Sequence, residues 1–137
     1  MQDKIKEITR KYVGKPYHHG GRGPDSYDCW GLIMAIYKDL GYEIWSIEGP
    51  YDESYQWEGR SAFIENYYRQ WDKVTLPMPL CGVLFKNKAG LAIHGGVMID
   101  SNRFIHASHK ASVIISRLSD KGWKGRVEGF YKLRQIS

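Results

Sequence analysis

Among the 137 residues there are only two cysteines and five prolines. Cys29 and Cys81 form no CxxC pair and no disulfide framework, so nothing in the chain demands an oxidising compartment. No apolar run approaches the roughly 18 residues of a membrane-spanning helix. The opening "MQDKIKEITRKYVGKPY" carries charges where a signal peptide has its apolar core. The expectation is a chain without a membrane span or export signal, cytoplasmic when made. Neither HExxH nor paired CxxC spacing is present. His18, His19, His94, His106 and His109 with the two cysteines are the ligands a rival metal chemistry would have to use, and the expectation is no metal and no cofactor. Repeats and low-complexity segments are also missing. A chain that is 42% hydrophobic and 14% aromatic fits one domain, residues 1–137, around a single core.

The excess of basic over acidic residues lies at one end of the chain. Residues 1–109 hold 13 basic and 13 acidic side chains, whereas residues 110–137 hold 7 basic against Asp120 and Glu128, which accounts for the net charge of +5. An anionic polymer is one reading of that excess. In "VEGFYKLRQI", however, charges alternate with apolar residues, as on a solvated strand face, and no nucleic-acid motif accompanies them.

What is present begins with helices. The pattern predicts one over about Asp3 to Tyr12 with Ile5 and Ile8 inward, and a third over about Ser61 to Trp71 with Ile64, Tyr67, Tyr68 and Trp71 on one face. Between them, from Cys29 to Leu40, apolar side chains recur at Leu32, Ile33, Ile36, Tyr37 and Leu40, the spacing of one buried face. Asp25, Ser26 and Asp28 are N-cap candidates, and Gly41 is the stop signal. Cys29 therefore lies in the first turn, where free N–H groups and the helix dipole can bring a thiol from about 8.5 to between roughly 3.5 and 7.5. On the helix alone, Cys29 is a buried inert cysteine or a nucleophile. The acidic, aromatic stretch from Trp45 to Gly59 reads as a long loop, either a binding wall or a surface insertion.

From position 82 onward, short β-rich runs separated by turn residues predict an antiparallel meander: "GVLFK", "AIHGGVMI", "RFIHAS", "SVIISR" and "VEGFYKLR". Helices followed by strands make an α+β fold, with about five strands packed on the cysteine helix. Whether His94 and His106 meet depends on one turn. A two-residue loop would pair Val97 with His106 and send the imidazoles to opposite faces. A three-residue loop over Asp100 to Asn102, with Asn102 left-handed, pairs Gly96 with His106 and makes His94 its diagonal neighbour at about 7–8 Å. The three-residue loop is the expectation. Cys29 is then the nucleophile, His94 its base and His106 the group that orients His94, with the Cys29 backbone N–H as oxyanion donor.

The blocks "GKPYHHGGRGPDSYDCWGL", "HGGVMI" and "FIHAS" resemble those of the NlpC-type cell-wall peptidases, small papain-like cysteine enzymes, over about Gly14 to Tyr131. The twelve-residue step from His94 to His106 suits that family. The resemblance implies a papain-like fold, a Cys29–His94–His106 triad, and Tyr17 as a neighbour of the thiol. It implies a peptidoglycan stem peptide as substrate, cleaved between D-γ-glutamate and diaminopimelate, with Asp28 receiving the peptide's free amino group. Trp30 replaces a serine that usually contacts substrate, so it is counted among the substrate-facing positions, with a packing wall as the alternative. Val83 replaces an aspartate. The Asp-Cys-Trp-Gly variant resembles members associated with phage tails, which implies tail proteins as partners and a place in the virion. The alternative is a tail-tip assembly module that keeps the fold without the chemistry.

Overall fold

The computed structural model describes residues 2–42, 70–90 and 92–134. The loop from Trp45 to Gly59 and nearly all of the expected third helix lie outside the described residues. Trp71, assigned to that helix, instead opens a strand.

Helix α1 spans Gln2–Tyr12 and buries Ile8 and Tyr12. Helix α2 spans Cys29–Asp39, with Cys29, Leu32, Ile33, Ile36 and Tyr37 buried as the periodicity requires. Its N-cap is Asp28, whose Oδ1 accepts from Gly31 N–H at 2.6 Å, satisfying a donor that the first turn cannot pair internally. Gly31 has to be glycine for a separate reason. A Cβ there would stand 2.1 Å from the Gly21 carbonyl oxygen, so the loop before α2 lies directly against the helix start. Leu40 is the C-cap.

Six strands follow: β1 Trp71–Val74, β2 Gly82–Lys86, β3 Ala92–Met98, β4 Arg103–Ala107, β5 Val113–Arg117 and β6 Val127–Leu133. The five expected runs are all strands. Their order is β1-β6-β2-β3-β4-β5, every pairing antiparallel. A meander over all five runs is therefore a misreading: β2 to β5 form one, but β6 crosses back to β2 and places β1 outside it. Hairpin spacing reveals neighbours joined by short turns and cannot reveal a strand that returns from the far end.

Alternation along the strands gives the sheet two covered faces. Leu84, Val97, Ile105, Ala107, Val113 and Leu133 join the α1 and α2 side chains in one cluster. Cys81, Val83, Phe85, Met98 and Phe104 form a second on the opposite face, closed by Trp123 and its neighbours. The interior is thus two layers divided by the sheet rather than one core. Cys81 is buried in the second layer.

The β3–β4 turn has the expected length. Val97 pairs with Ile105 and Met98 with Phe104, a register that continues to Gly96 opposite His106. Gly96 permits this close approach, because a Cβ there would meet the Ile105 carbonyl oxygen at 2.7 Å and His106 Cβ at 3.1 Å. One detail differs. Among the described residues the only non-glycine residue with positive φ is Leu80, so Asn102 is not left-handed. Asp100 Oδ1 closes the turn instead, accepting from the backbone N–H of Asn102 at 2.9 Å and of Arg103 at 2.7 Å.

Candidate active site

Two adjacent strands bring the imidazoles together, and α2 starts at Cys29. Helix α2 brings Cys29, β3 brings His94, and β4 brings His106. His94 Nε2 lies 2.8 Å from His106 Nδ1, a direct hydrogen bond between the two imidazoles. Both rings project into the second layer. His94 stacks on Trp123 with centroids 5.4 Å apart and 22° between planes, while His106 meets Trp123 edge-on at 4.9 Å. Phe85 and Phe104 complete the enclosure. Trp123 thus packs over the His–His pair, and the Arg126 guanidinium lies 5.0 Å from the Trp123 ring centroid.

The thiol of Cys29 approaches from the α2 side. It is buried, and the backbone N–H groups of Gly95 and Trp30 face it. Cys29 therefore rests against the peptide that follows His94. Because His94 Nε2 is committed to His106, Nδ1 is the ring nitrogen that a general base would have to use.

The electrostatics overturn one expectation. Burial, reinforced by the Asp28 carboxylate, pushes the Cys29 thiol up to about 12, against the lowering influence of the Gly95 and Trp30 N–H groups and of Arg22. The helix terminus favours a thiolate, but its contribution is smaller than the desolvation of a charge inside a closed site. Burial also lowers His94 well below the usual histidine value, assisted by His106, Arg126 and His109, and it lowers His106 to about 4. The resting pair is therefore a neutral thiol and a neutral imidazole. Rapid modification of Cys29 below pH 7 is not expected. The ultraviolet thiolate absorbance of the wild type minus that of Cys29→Ala should show no step below about pH 9; a step centred in the acid range would show an ion pair instead.

The remaining candidates separate. Tyr17 is half-buried, bridges to Tyr27 through the backbone and places its ring 6.1 Å from that of His109. Trp30 is fully buried in the first layer, so it is a packing residue and not a substrate-facing one. Asp28 is also fully buried: both its oxygens accept from Arg22 Nη1 at 2.7 Å, and Oδ1 caps α2 as well. Its carboxylate is an ion-pair and capping group in this arrangement, and a substrate amine could reach it only if the guanidinium moved away. A groove of about 790 Å³, lined by Tyr12, Arg22, Tyr27, Met34, Asp39 and Tyr42, lies along the outer side of α2, away from the imidazoles. Among the described residues no group of three or more His, Cys, Asp or Glu side chains could hold a metal ion. Among them, too, no helix is long and apolar enough to cross a membrane.

Sequence reasoning missed Arg22, Trp123 and Ser116. Arg22 and Trp123 sit in irregular segments where no period predicts direction. Ser116 could have been found: its Oγ lies 2.9 Å from His106 Nε2, and the β4–β5 register puts it on the histidine face.

Residues 14–132 match the model of the NlpC/P60 family. The chain is 28% identical over 137 residues to the gamma-DL-glutamyl hydrolase of Bacillus subtilis, covering 97% of this chain and 30% of that protein. It is 26% identical over 126 residues to the murein DD-endopeptidase MepS/murein LD-carboxypeptidase of Escherichia coli, covering 92% of this chain and 60% of that one. The chain thus spans less than two thirds of either relative. In fold it is similar to the crystal structure of an NLP/P60 family lipoprotein-like protein from Staphylococcus aureus, with a TM-score of 0.70 at 22% identity, over 96% of this chain and 41% of the other.

Proposed function

The chain belongs to the NlpC/P60 family, and from that premise we propose that it is a cysteine peptidase hydrolysing an amide bond in bacterial peptidoglycan stem peptides. The observation that carries the reading is the 2.8 Å bond between His94 Nε2 and His106 Nδ1, with Cys29 against the peptide beside His94. A nucleophile, a base and a group that orients the base are the parts covalent acyl transfer needs.

The neutral resting pair sets the order of events. Substrate binding brings a carbonyl carbon to the Cys29 sulfur, and the thiol proton passes to His94 Nδ1 as the carbon–sulfur bond forms. Charge separates only when the oxyanion develops. The backbone N–H of Cys29, at the start of α2, is the donor proposed for that oxyanion. His94 then gives its proton to the leaving amine, and a water deprotonated by the same ring releases the acid from the thioester. His106 keeps the His94 ring in one orientation through both steps.

The bond proposed is that between D-γ-glutamate and diaminopimelate. One relative is named for γ-glutamyl hydrolysis and another as a murein endopeptidase. Purified peptidoglycan and a synthetic stem peptide are the test, with products mapped by mass spectrometry and Cys29→Ala as the blank. Cleavage at that bond by the wild type alone supports the proposal, and cleavage elsewhere revises the substrate. No cleavage by a folded wild type would favour an assembly module within a phage tail, the placement proposed from the Asp-Cys-Trp-Gly variant.

A further inference from the structure

We propose that Ser116 is a positioning residue for the histidine pair: its hydroxyl oxygen accepts from His106 Nε2–H and so holds His106 in the tautomer whose Nδ1 accepts from His94. Geometry alone gives the hydrogen bond; its direction and its catalytic consequence rest on the hydrolase reading.

Its origin lies in strand register. Phe104 pairs with Ser116 and His106 with Ile114, so Ser116 is the diagonal neighbour of His106 on the same sheet face. Sliding β5 by one residue would send the hydroxyl to the other face. As built, Ser116 Oγ is 2.9 Å from His106 Nε2, and His94 Nε2 is 2.8 Å from His106 Nδ1. Both nitrogens of a fully buried imidazole are thereby satisfied, while its other neighbours, Phe104 at 4.6 Å and Trp123 at 4.9 Å, are apolar.

A hydroxyl can donate or accept, so two self-consistent chains of protons fit these distances. In the first, Ser116 O–H donates to His106 Nε2, His106 Nδ1–H donates to His94 Nε2, and His94 carries its proton on Nδ1. That imidazole cannot take a proton from Cys29 at Nδ1. In the second, His94 Nε2–H donates to His106 Nδ1 and His106 Nε2–H donates to Ser116 Oγ. His94 Nδ1 then carries the lone pair that a general base needs. When His94 becomes charged, its Nε2–H still points at a bare acceptor on His106, which itself stays neutral. Only the second chain serves a base. Ser116 as acceptor is what fixes the far end of it, three side chains from the sulfur.

The test uses the full chain with ¹⁵N-labelled histidine. In the wild type near neutral pH, the His106 ring should show a protonated Nε2 and an unprotonated Nδ1. Ser116→Ala should mix the two tautomers and lower kcat about tenfold, in the range of a positioning effect on a general base, with KM unchanged. Ser116→Thr, which keeps the hydroxyl, should restore both. A wild-type His106 protonated on Nδ1 would overturn the proposal, as would a Ser116→Ala variant that keeps the wild-type tautomer and kcat. A loss of fold would appear as loss of the whole dispersed spectrum, and Ser116→Thr would then decide. The nitrogen spectra need no turnover: an inactive wild type would count against the hydrolase reading, while the hydrogen bond stands or falls on the spectra.

Discussion

Alanine at Cys29, alanine at His94 and the two substitutions together are expected to lower kcat/KM on a cleaved stem peptide by the same factor, about 10⁴ or more. The equality is the informative part. Two residues contributing independently would multiply their losses, whereas a nucleophile and the base that takes its proton act as one unit, so the second removal costs little once the first is made. The neutral resting pair sharpens this expectation. With its thiol pushed up by burial, an unassisted Cys29 would be almost entirely protonated at pH 7. In the mechanism proposed above, its nucleophilicity therefore depends on proton transfer to His94 during attack. Steady-state kinetics of the three variants, each checked for its fold by circular dichroism, would settle the matter. A double variant that falls well below both single ones would mean that Cys29 and His94 work separately.

The second large effect is on stability, and it comes from the same burial. His106 has a folded value of about 4, against roughly 6.5 in an unfolded chain. Between those values the unfolded chain binds a proton that the folded one does not, so stability falls as pH drops from about 6.5 towards 4. The difference of about 2.5 units corresponds to about 3 kcal/mol from His106 alone. His94, lowered for the same reason and further by His106, Arg126 and His109, adds to it in the same direction. Above about pH 6.5 neither group should contribute any slope. Urea unfolding of the wild type should therefore lose about 3 kcal/mol or more between pH 7 and pH 4. His106→Gln, which cannot titrate, should lose correspondingly less over the same interval, whatever its stability at pH 7. Parallel pH profiles for the two proteins would show that His106 is not held neutral by the fold.

These effects divide between what a local pattern can carry and what it cannot. The span of α2, its Asp28 cap and the inward face of Cys29 followed from three-and-four spacing and a capping side chain. Each of those signals is complete within a dozen residues. The meeting of His94 with His106 also followed, because a side-chain period of two makes the face of a strand depend on turn length alone. The turn chemistry was read less well. Asp100, rather than a left-handed Asn102, closes it, since an Asx side chain can satisfy the same N–H groups without a strained backbone.

Other features had no local signal. Trp30 and Asp28 both flank the cysteine, and their burial depends on what the first turn of α2 meets: the loop from Gly21 to Ser26, the Arg22 guanidinium and the first hydrophobic layer. The return of β6 to β2 and the cover that Trp123 places over the imidazoles join residues distant in sequence. The protonation states went astray for the same reason. A helix N-terminus can be read from sequence, while the desolvation that outweighs it is a property of every atom packed around the sulfur.

The sequence by itself determined the faces on which Cys29, His94 and His106 stand, because periodicity, caps and turn length are local. Only the tertiary structure decided their charge, their enclosure by Trp123 and their anchoring by Ser116, because burial and cross-strand partnership exist only once distant segments pack together.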